Sequence, residues 1–298
     1  MKFQENVLLS KHTTFKIGGP AKYFCIAGNK EDLIKAVKKA KELKMPFFIL
    51  GKGSNTLALD RGFDGLVIKI KNLKATLQGV RLRASRKIKN CNIYAEAGVK
   101  LGDIIKLTAE KSLTGLEWAV GIPGTVGGAV YGNAQAFNIK MSDIIKSVEI
   151  FDAKTLKIKT LTKKECDFSE KHTVFKKNKN LIIISAVLKL KNGKKKEIQK
   201  RIKKHLDYRK KNHPWKFPSA GSVFINKTGG PPSAHLIEKC GLKGIKAGGA
   251  KVSEKHAGFI VNTGEAKARD VLKLIKIIKQ KVKSKFRIDL EEEIQIIK

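Results

Sequence analysis

The sequence predicts an α+β fold. Short apolar runs such as PFFIL (46–50) and LVIKI (66–70) read as strands, and the stretches 30–44 and 265–285 carry apolar residues at helical spacing. The two kinds of element are mixed without the strict strand–helix–strand alternation of a parallel doubly wound sheet. No internal repeat is visible.

From Leu9 to Phe24 the chain reads as a loop, a Gly-Gly-Pro turn and a short strand. Residues 30–44 form a helix: Asn29 is placed to cap it, Glu31 and Asp32 suit its positive end, and Leu33, Val37, Ala40 and Leu43 share one face. PFFIL is a buried strand that runs straight into GKGSN (51–55). The Lys/Arg-rich segment 71–92 reads as a loop or hairpin, IYAEAG (93–98) as a strand and 101–111 as a helix. GIPGTVGGAVYGN (121–133), with five glycines, reads as a loop. Strands follow at 147–152 and 181–190, GKKK (193–196) turns the chain, and 197–212 is a basic helix. FPSAGSVF (217–224) enters a strand, and SAHLIEKCG (233–241) is a helix that Gly241 ends in a left-handed cap. HAGFIVN (256–262) is a strand, 265–285 is an amphipathic helix with Val271, Leu274, Ile278 and Val282 on one face, and IDLEEEIQII closes with a strand. The main boundary falls near 195–205.

A length of 298 residues suits two or three packed units, and a hydrophobic content of 42% allows a sizeable core. No run approaches the ~18 apolar residues of a membrane span. The opening MKFQENVLLSKHTTF lacks the features of a signal peptide, so a cytoplasmic location and no membrane partner are expected. Cys25, Cys91, Cys166 and Cys240 lie far apart and the six histidines are scattered, so neither a disulfide framework nor a metal site is expected.

The net charge of +37 raises the question of nucleic-acid binding. However, of the 63 basic residues 55 are Lys and only 8 are Arg, the residue whose fork grips phosphates and base edges. The lysines are spread along the whole chain. A lysine-rich solvated surface accounts for the charge, and no nucleic-acid partner is expected.

GKGSN directly after an apolar strand is suited to holding phosphate. Gly51 and Gly53 permit torsions that turn successive N–H groups inward, and Lys52, Ser54 and Asn55 complete the turn. An ordinary glycine turn between two elements would look similar. GIPGTVGGA (121–129) is more specific, because so many glycines imply a close approach to the backbone. A flat cofactor with a pyrophosphate accounts for both loops together. In PSAGSVFIN (218–226), Ser222 is no GxSxG nucleophile, since Ala220 and Phe224 hold the flanking glycine positions. A turn serine is the plain reading. Strand alternation separates Glu292 from Glu291 and Glu293, and the acidic run reads as solvated.

The ordered set HTTFKIGGPA (12–21), GKGSN (51–55), GLEWAVGIPGTVGGAVYGNA (115–134), PSAGSVF (218–224), LIEKCGLKG (236–244), GAKVSEKHAGFIVN (249–262) and LEEEI (290–294) resembles the UDP-N-acetylenolpyruvoylglucosamine reductases, in the shorter of their two structural types. The resemblance implies an FAD-binding region of the vanillyl-alcohol-oxidase type in two subdomains, 1–70 and 71–198, and a C-terminal substrate domain, 199–298. It implies noncovalent FAD, NADPH as hydride donor, and reduction of UDP-N-acetylglucosamine enolpyruvate to UDP-N-acetylmuramate for peptidoglycan synthesis, by a monomer. The flavin-binding backbone falls on Gly51, Lys52, Gly53, Ser54 and Asn55, and on Gly121, Ile122, Pro123, Gly124, Thr125, Gly127 and Gly128.

By the same resemblance Ser222 protonates the substrate carbon, Glu293 is its partner carboxyl group and Asn226 binds substrate. The family's catalytic arginine falls on Lys171, within Glu170-Lys171-His172-Thr173-Val174-Phe175-Lys176. Lysine keeps the charge and loses the planar fork. Further departures are Glu170 for a tyrosine, Thr173 for a serine, Gln135 for a glycine, and Ile225 and Lys227 around Asn226. They leave a second expectation open, a scaffold that binds FAD or a UDP-sugar with little turnover.

Overall fold

A computed structural model describes residues 2–71, 75–78, 91–170, 172–227 and 229–298. The described chain sorts into two compact units. One comprises 26–45 and 68–209, the other 2–25, 46–67 and 210–298.

The first unit is built on a six-stranded sheet with the order Lys157–Thr162, Ile145–Asp152, Leu181–Asn192, Cys91–Glu96 and Ala75–Gln78, and with Leu113–Thr114 also paired to Leu181–Asn192. All its pairs are antiparallel. The alternation Cys91, Ile93 and Ala95 inward, Asn92, Tyr94 and Glu96 outward shows why this stretch is a strand with one covered face. The helix Leu101–Glu110 buries Ile104 and Ile105, and Lys30–Glu42 buries Leu33, Ala36, Val37 and Ala40. Asn29 caps the latter as its sequence position predicts, its Oδ1 accepting the Asp32 N–H at 2.7 Å. The helix Lys195–Asn212 is the most basic in the chain. Its inward face nevertheless carries Arg201 and Arg209 along with Ile198.

The second unit contains an antiparallel sheet ordered Ser219–Ser222, Phe259–Asn262, Ala250–Val252 and Lys246–Ala247. The helix Ala268–Phe286 lays Val271, Leu274, Ile275, Ile278 and Val282 into one core with Phe15, Leu57, Phe224 and Ile260. Gly241 (φ +69°) follows the helix Ser233–Lys239 in the expected left-handed position, its N–H donating to the Glu238 carbonyl at 2.9 Å. Gln4–Leu8 pairs antiparallel with Pro20–Ala27, and Gln295–Ile297 pairs in parallel with Thr56–Ala58.

Three expectations need correction. The stretch 121–133 is not a loop throughout, because Val126–Tyr131 is a helix. Thr125 caps it by accepting the Gly128 N–H at 3.3 Å. Its glycine is a packing requirement: a Cβ on Gly127 would lie 2.6 Å from the Ala97 Cβ. The closing strand spans only Gln295–Ile297, with an isolated bridge at Glu292, and the strand entered by FPSAGSVF spans only Ser219–Ser222. The second shortening goes with a register shift between Ser219 and Ser222 in the pairing with Phe259–Asn262. The strands Gln4–Leu8 and Lys157–Thr162 were not expected, since their residues are mostly exposed and carry no apolar run. Of the expected hairpin at 71–92, Ala75–Gln78 pairs antiparallel with Cys91–Glu96, and 72–74 and 79–90 lie outside the described residues.

Glu117 shows how the first unit holds the turn ahead of its glycine loop. Its buried carboxylate accepts from Thr114 Oγ1 and the Gly115 N–H, both at 2.7 Å, and from Arg201 Nη2 at 2.9 Å. Burial by itself would raise its pKa, but these donors outweigh it and the pKa falls below the ordinary 4.5. A depressed carboxylate adds stability above its unfolded pKa, and that stability is lost as pH drops through the folded value. Glu117→Gln is therefore expected to cost about 1.5–3 kcal/mol at neutral pH, nearer the lower figure because Arg201 is partly solvated. Below pH 4.5 the gap to the parent closes. Urea unfolding at a series of pH values tests this, and a gap constant from neutrality to acid would mean that the charge is not what the substitution removes.

Candidate active site

In the second unit, the loop Gly51–Asn55 connects the strands Phe47–Leu50 and Thr56–Ala58. Gly53 has φ +67°, and a Cβ there would lie 2.7 Å from the His12 carbonyl oxygen and 2.8 Å from the Thr13 Cα. Only glycine fits this crossing. The HTTF segment holds the loop on both sides: the Thr14 N–H donates to the Gly53 carbonyl at 3.1 Å, and Thr14 Oγ1 donates to the Ser219 carbonyl at 2.8 Å. Among the described residues, no acceptor faces the backbone N–H groups of Lys52, Gly53 and Ser54.

Ser222 ends the strand Ser219–Ser222, opposite Phe259, just after Gly221 at φ +77°. The next residues pair with the acidic run: the Ile225 N–H donates to the Glu291 carbonyl at 2.9 Å, and the Glu293 N–H to the Val223 carbonyl at 2.7 Å. Asn55 completes the arrangement, its Nδ2 donating to the Glu293 carbonyl at 3.0 Å. One short segment thus links the 51–55 loop to the residue after Ser222. The three glutamates have different surroundings, although 291–293 hold only the isolated bridge at Glu292 and no strand. Glu291 pairs with Lys227 at 2.7 Å and Glu292 with Lys279 at 2.9 Å, while half-buried Glu293 holds the backbone position next to Ser222.

Behind Ser222 lies a histidine that sequence reasoning did not single out. His256 Nδ1 accepts the Gly258 N–H at 3.2 Å, and the Gly258 carbonyl accepts the Val223 N–H at 2.9 Å. Burial lowers the His256 pKa, so the ring is a neutral acceptor at neutral pH. Asn226 lies on the surface, where its Oδ1 accepts from both the N–H and the Oγ of Ser233 at 2.8 Å and fastens the start of the helix Ser233–Lys239.

In the first unit, the rear of the glycine loop is stitched to 97–101. The Val126 N–H donates to the Val99 carbonyl at 2.8 Å, Gly127 to Ala97 at 2.8 Å, and Leu101 to Gly124 at 3.0 Å. Gly121 adopts φ +78°, and the N–H groups of Gly121, Gly124 and Thr125 have no acceptor among the described residues. The donor sets of both loops are chemically suited to FAD. Each offers several unengaged N–H groups and hydroxyl or amide side chains, and neither contains a carboxylate to repel a pyrophosphate.

Lys171 lies outside the described residues. Its neighbours are anchored by Asn133, missed from sequence, and by Thr173, noted there only as a departure from the family's serine. Buried Asn133 (φ +43°) donates Nδ2 to the Ser169 carbonyl at 3.0 Å, and Thr173, fully buried, donates Oγ1 to the Tyr131 carbonyl at 2.9 Å. Their roles depend on tertiary pairing, and only the left-handed tolerance of asparagine offered a hint. Arg209 was also missed. Its sequence signal is its rarity, one of 8 arginines beside 55 lysines. Among the described residues no group of three or more His, Cys, Asp or Glu could hold a metal, and no helix is long and apolar enough to cross a membrane.

Comparison with known proteins agrees with this geometry. Residues 21–160 match an FAD binding domain, and 213–297 match the C-terminal domain of UDP-N-acetylenolpyruvoylglucosamine reductase. The reductase of Caldanaerobacter subterraneus is 40% identical over 99% of this chain and 94% of its own length, and that of Clostridium tetani is 40% identical over 98% and 91%. The crystal structure of the reductase from Thermus caldophilus superposes with a TM-score of 0.80 at 32% identity, covering 100% of both chains. Identity at this level over nearly the whole length decides the matter: the chain belongs to the UDP-N-acetylenolpyruvoylglucosamine reductase family.

Proposed function

We propose that this chain carries out its family's reaction through Ser222, Glu293 and Lys171, with the 51–55 and 121–128 loops binding noncovalent FAD. The reaction consumes UDP-N-acetylglucosamine enolpyruvate, NADPH and a proton and yields UDP-N-acetylmuramate and NADP, a step of peptidoglycan synthesis. The observation that carries the residue assignment is the clasp on Glu293, whose backbone receives the Asn55 amide and donates to Val223. These bonds join the 51–55 loop, the segment of Glu293 and the residue after Ser222, which supports reading the three together.

Held by the backbone of these two loops, FAD would supply the enolpyruvyl carbon β to the carboxylate with a hydride taken from NADPH. The α carbon is left with enolate-like charge, and the Ser222 hydroxyl gives it a proton while Glu293 is the carboxyl partner of that transfer. A serine is a weak acid, so the step depends on a strongly basic carbon and on tight placement. Lys171 clamps the substrate carboxylate and the charge that develops on it. Asn226, through its surface position, contacts substrate, and the stretch from 199 onward is the substrate-binding part. The chain works as a monomer in the cytoplasm, where nucleotide sugars and NADPH are found, without nucleic-acid or membrane partners. The departure at Lys171 favours one other reading, a scaffold that binds FAD and UDP-sugar with little turnover. NADPH consumption that the enolpyruvyl substrate does not accelerate would establish that reading.

Neither loop contains His or Cys to form a covalent link. Acid precipitation of the purified yellow protein is expected to leave the chromophore in the supernatant, and colour on the pellet contradicts noncovalent binding. Ser222→Ala is expected to reduce its flavin with NADPH at the parental rate and to slow reoxidation by the enolpyruvyl substrate at least ~10²-fold. Equal slowing of both half-reactions would make Ser222 structural. Lys171→Ala is expected to lose ~10²–10³ in reoxidation alone, and Lys171→Arg to retain the rate. A loss under about tenfold in single-turnover reoxidation places the clamp elsewhere.

A further inference from the structure

The chain between Ser253 and Phe259 folds back on itself beside Ser222. Ser253 Oγ accepts the N–H of Lys255 at 3.2 Å and that of His256 at 3.3 Å, and the Phe259 N–H donates to the His256 carbonyl at 3.0 Å. A side chain makes the next link, His256 Nδ1 accepting the Gly258 N–H at 3.2 Å. The ring is seated so closely that a Cβ on Gly258 would lie 3.1 Å from its Cε1. Phe259 and His213 hold the ring's orientation, with centroids 4.9 Å and 5.4 Å away. Because Nδ1 is an acceptor, the ring proton sits on Nε2.

Gly258 thus gives its N–H to the ring and offers its carbonyl to the Val223 N–H, at 2.9 Å. Glycine has wide torsional freedom, so the bond to the ring is what aims that carbonyl. Val223, the residue after Ser222, is held by Gly258 on its N–H and by Glu293 on its carbonyl. On the other side of Ser222 the pairing is broken by the register shift between Ser219 and Ser222. The backbone at Ser222 is therefore fixed mainly from Val223, and Val223 in turn from a ring that can take up a proton. A weakly acidic hydroxyl delivers its proton only from a closely defined place, so this support bears on the reaction.

We propose that His256 is a positioning residue for proton transfer from Ser222, acting through the Gly258 carbonyl that anchors Val223. This rests on the reading of Ser222 as the proton donor. Protonation at Nδ1 turns the acceptor into a donor facing the Gly258 N–H, and the anchor is released. Burial, the largest cause, and the Lys243 charge hold the ring's pKa below the ordinary 6.5, while a backbone hydrogen bond and Glu238 pull the other way. His213 is a further titratable ring against it. The support is intact at neutral pH and is lost as pH falls through the folded value.

The test follows both half-reactions of the holoenzyme by stopped flow from about pH 5 to 8. His256→Phe keeps a ring and loses the acceptor. His256→Asn places Oδ1 at the reach of Nδ1 and takes up no proton in this range. His256→Phe is expected to slow reoxidation by the enolpyruvyl substrate about tenfold to a hundredfold and to leave flavin reduction by NADPH within about twofold. His256→Asn is expected to recover most of that loss and to lack the parent's fall in reoxidation below pH 6.5. On top of Ser222→Ala, His256→Phe is expected to cost less than about twofold, because both changes remove the same transfer. Parental reoxidation in His256→Phe, equal slowing of both half-reactions, or a His256→Asn as slow as His256→Phe overturns the inference. So does a full cost of His256→Phe on top of Ser222→Ala, which would mean that the ring acts elsewhere. Should His256→Phe not fold, His256→Asn decides alone: loss of the acid limb supports the proposal and its persistence overturns it. Parental reoxidation in Ser222→Ala would sink the underlying reading of Ser222 instead.

Discussion

The hydrogen bond from the Asn55 side chain to the Glu293 carbonyl joins residues 238 positions apart, and the arrangement of the second unit depends on it. Each bond of this kind is worth only about 1 kcal/mol net. Its importance is positional. The same segment donates from Glu293 to Val223 and from Gln295 to Asn55, so it is gripped on both sides by main chain and cannot slide without breaking several bonds together. Gly53, backed against His12 and Thr13, then fixes the loop that carries Asn55. The clasp uses backbone atoms of Glu293.

The first unit reaches comparable rigidity by other means. Its glycine loop is followed at once by a short helix, and Gly127 lets that helix touch the end of the strand Cys91–Glu96 at Ala97. The bonds from Asn133 to Ser169 and from Thr173 to Tyr131 then fasten the chain on either side of position 171 to the end of that helix and the turn after it. The unusual polar interior of the helix Lys195–Asn212 belongs to the same region, because Arg201 and Arg209 both hold the turn Glu117–Ala119. In a chain whose positive charge is otherwise spread over a lysine surface, Arg209 is buried and Arg201 is partly exposed, and both have tasks that suit a fork.

Much of the fold could be read from local pattern. The helices Lys30–Glu42 and Ala268–Phe286 follow from spacing and capping, and both glycine loops announce themselves by composition. Where local pattern failed, a distant partner had decided the outcome. A glycine-rich stretch became a helix because Ala97 stands where side chains would, and the acidic run paired with 223–225 for only a few residues. The pairing beside Ser222 shows the same limit. Nothing within ten residues of it indicates Glu293, and only the ordered family motifs brought the two together before the fold did.

The second unit is assembled from three separated pieces of chain, 2–25, 46–67 and 210–298. During synthesis the 51–55 loop leaves the ribosome long before Glu293, Gln295 and the strand that pairs with Thr56–Ala58 exist. Until those residues arrive, Asn55 has no carbonyl to hold and Leu57 lacks part of the core that buries it. The nascent chain must therefore carry the 51–55 loop without its clasp through most of translation, and closing a loop of this length makes the final pairing slow. An arrangement made this way is completed late and all at once, so a chain truncated before 293 leaves the 51–55 loop without its clasp.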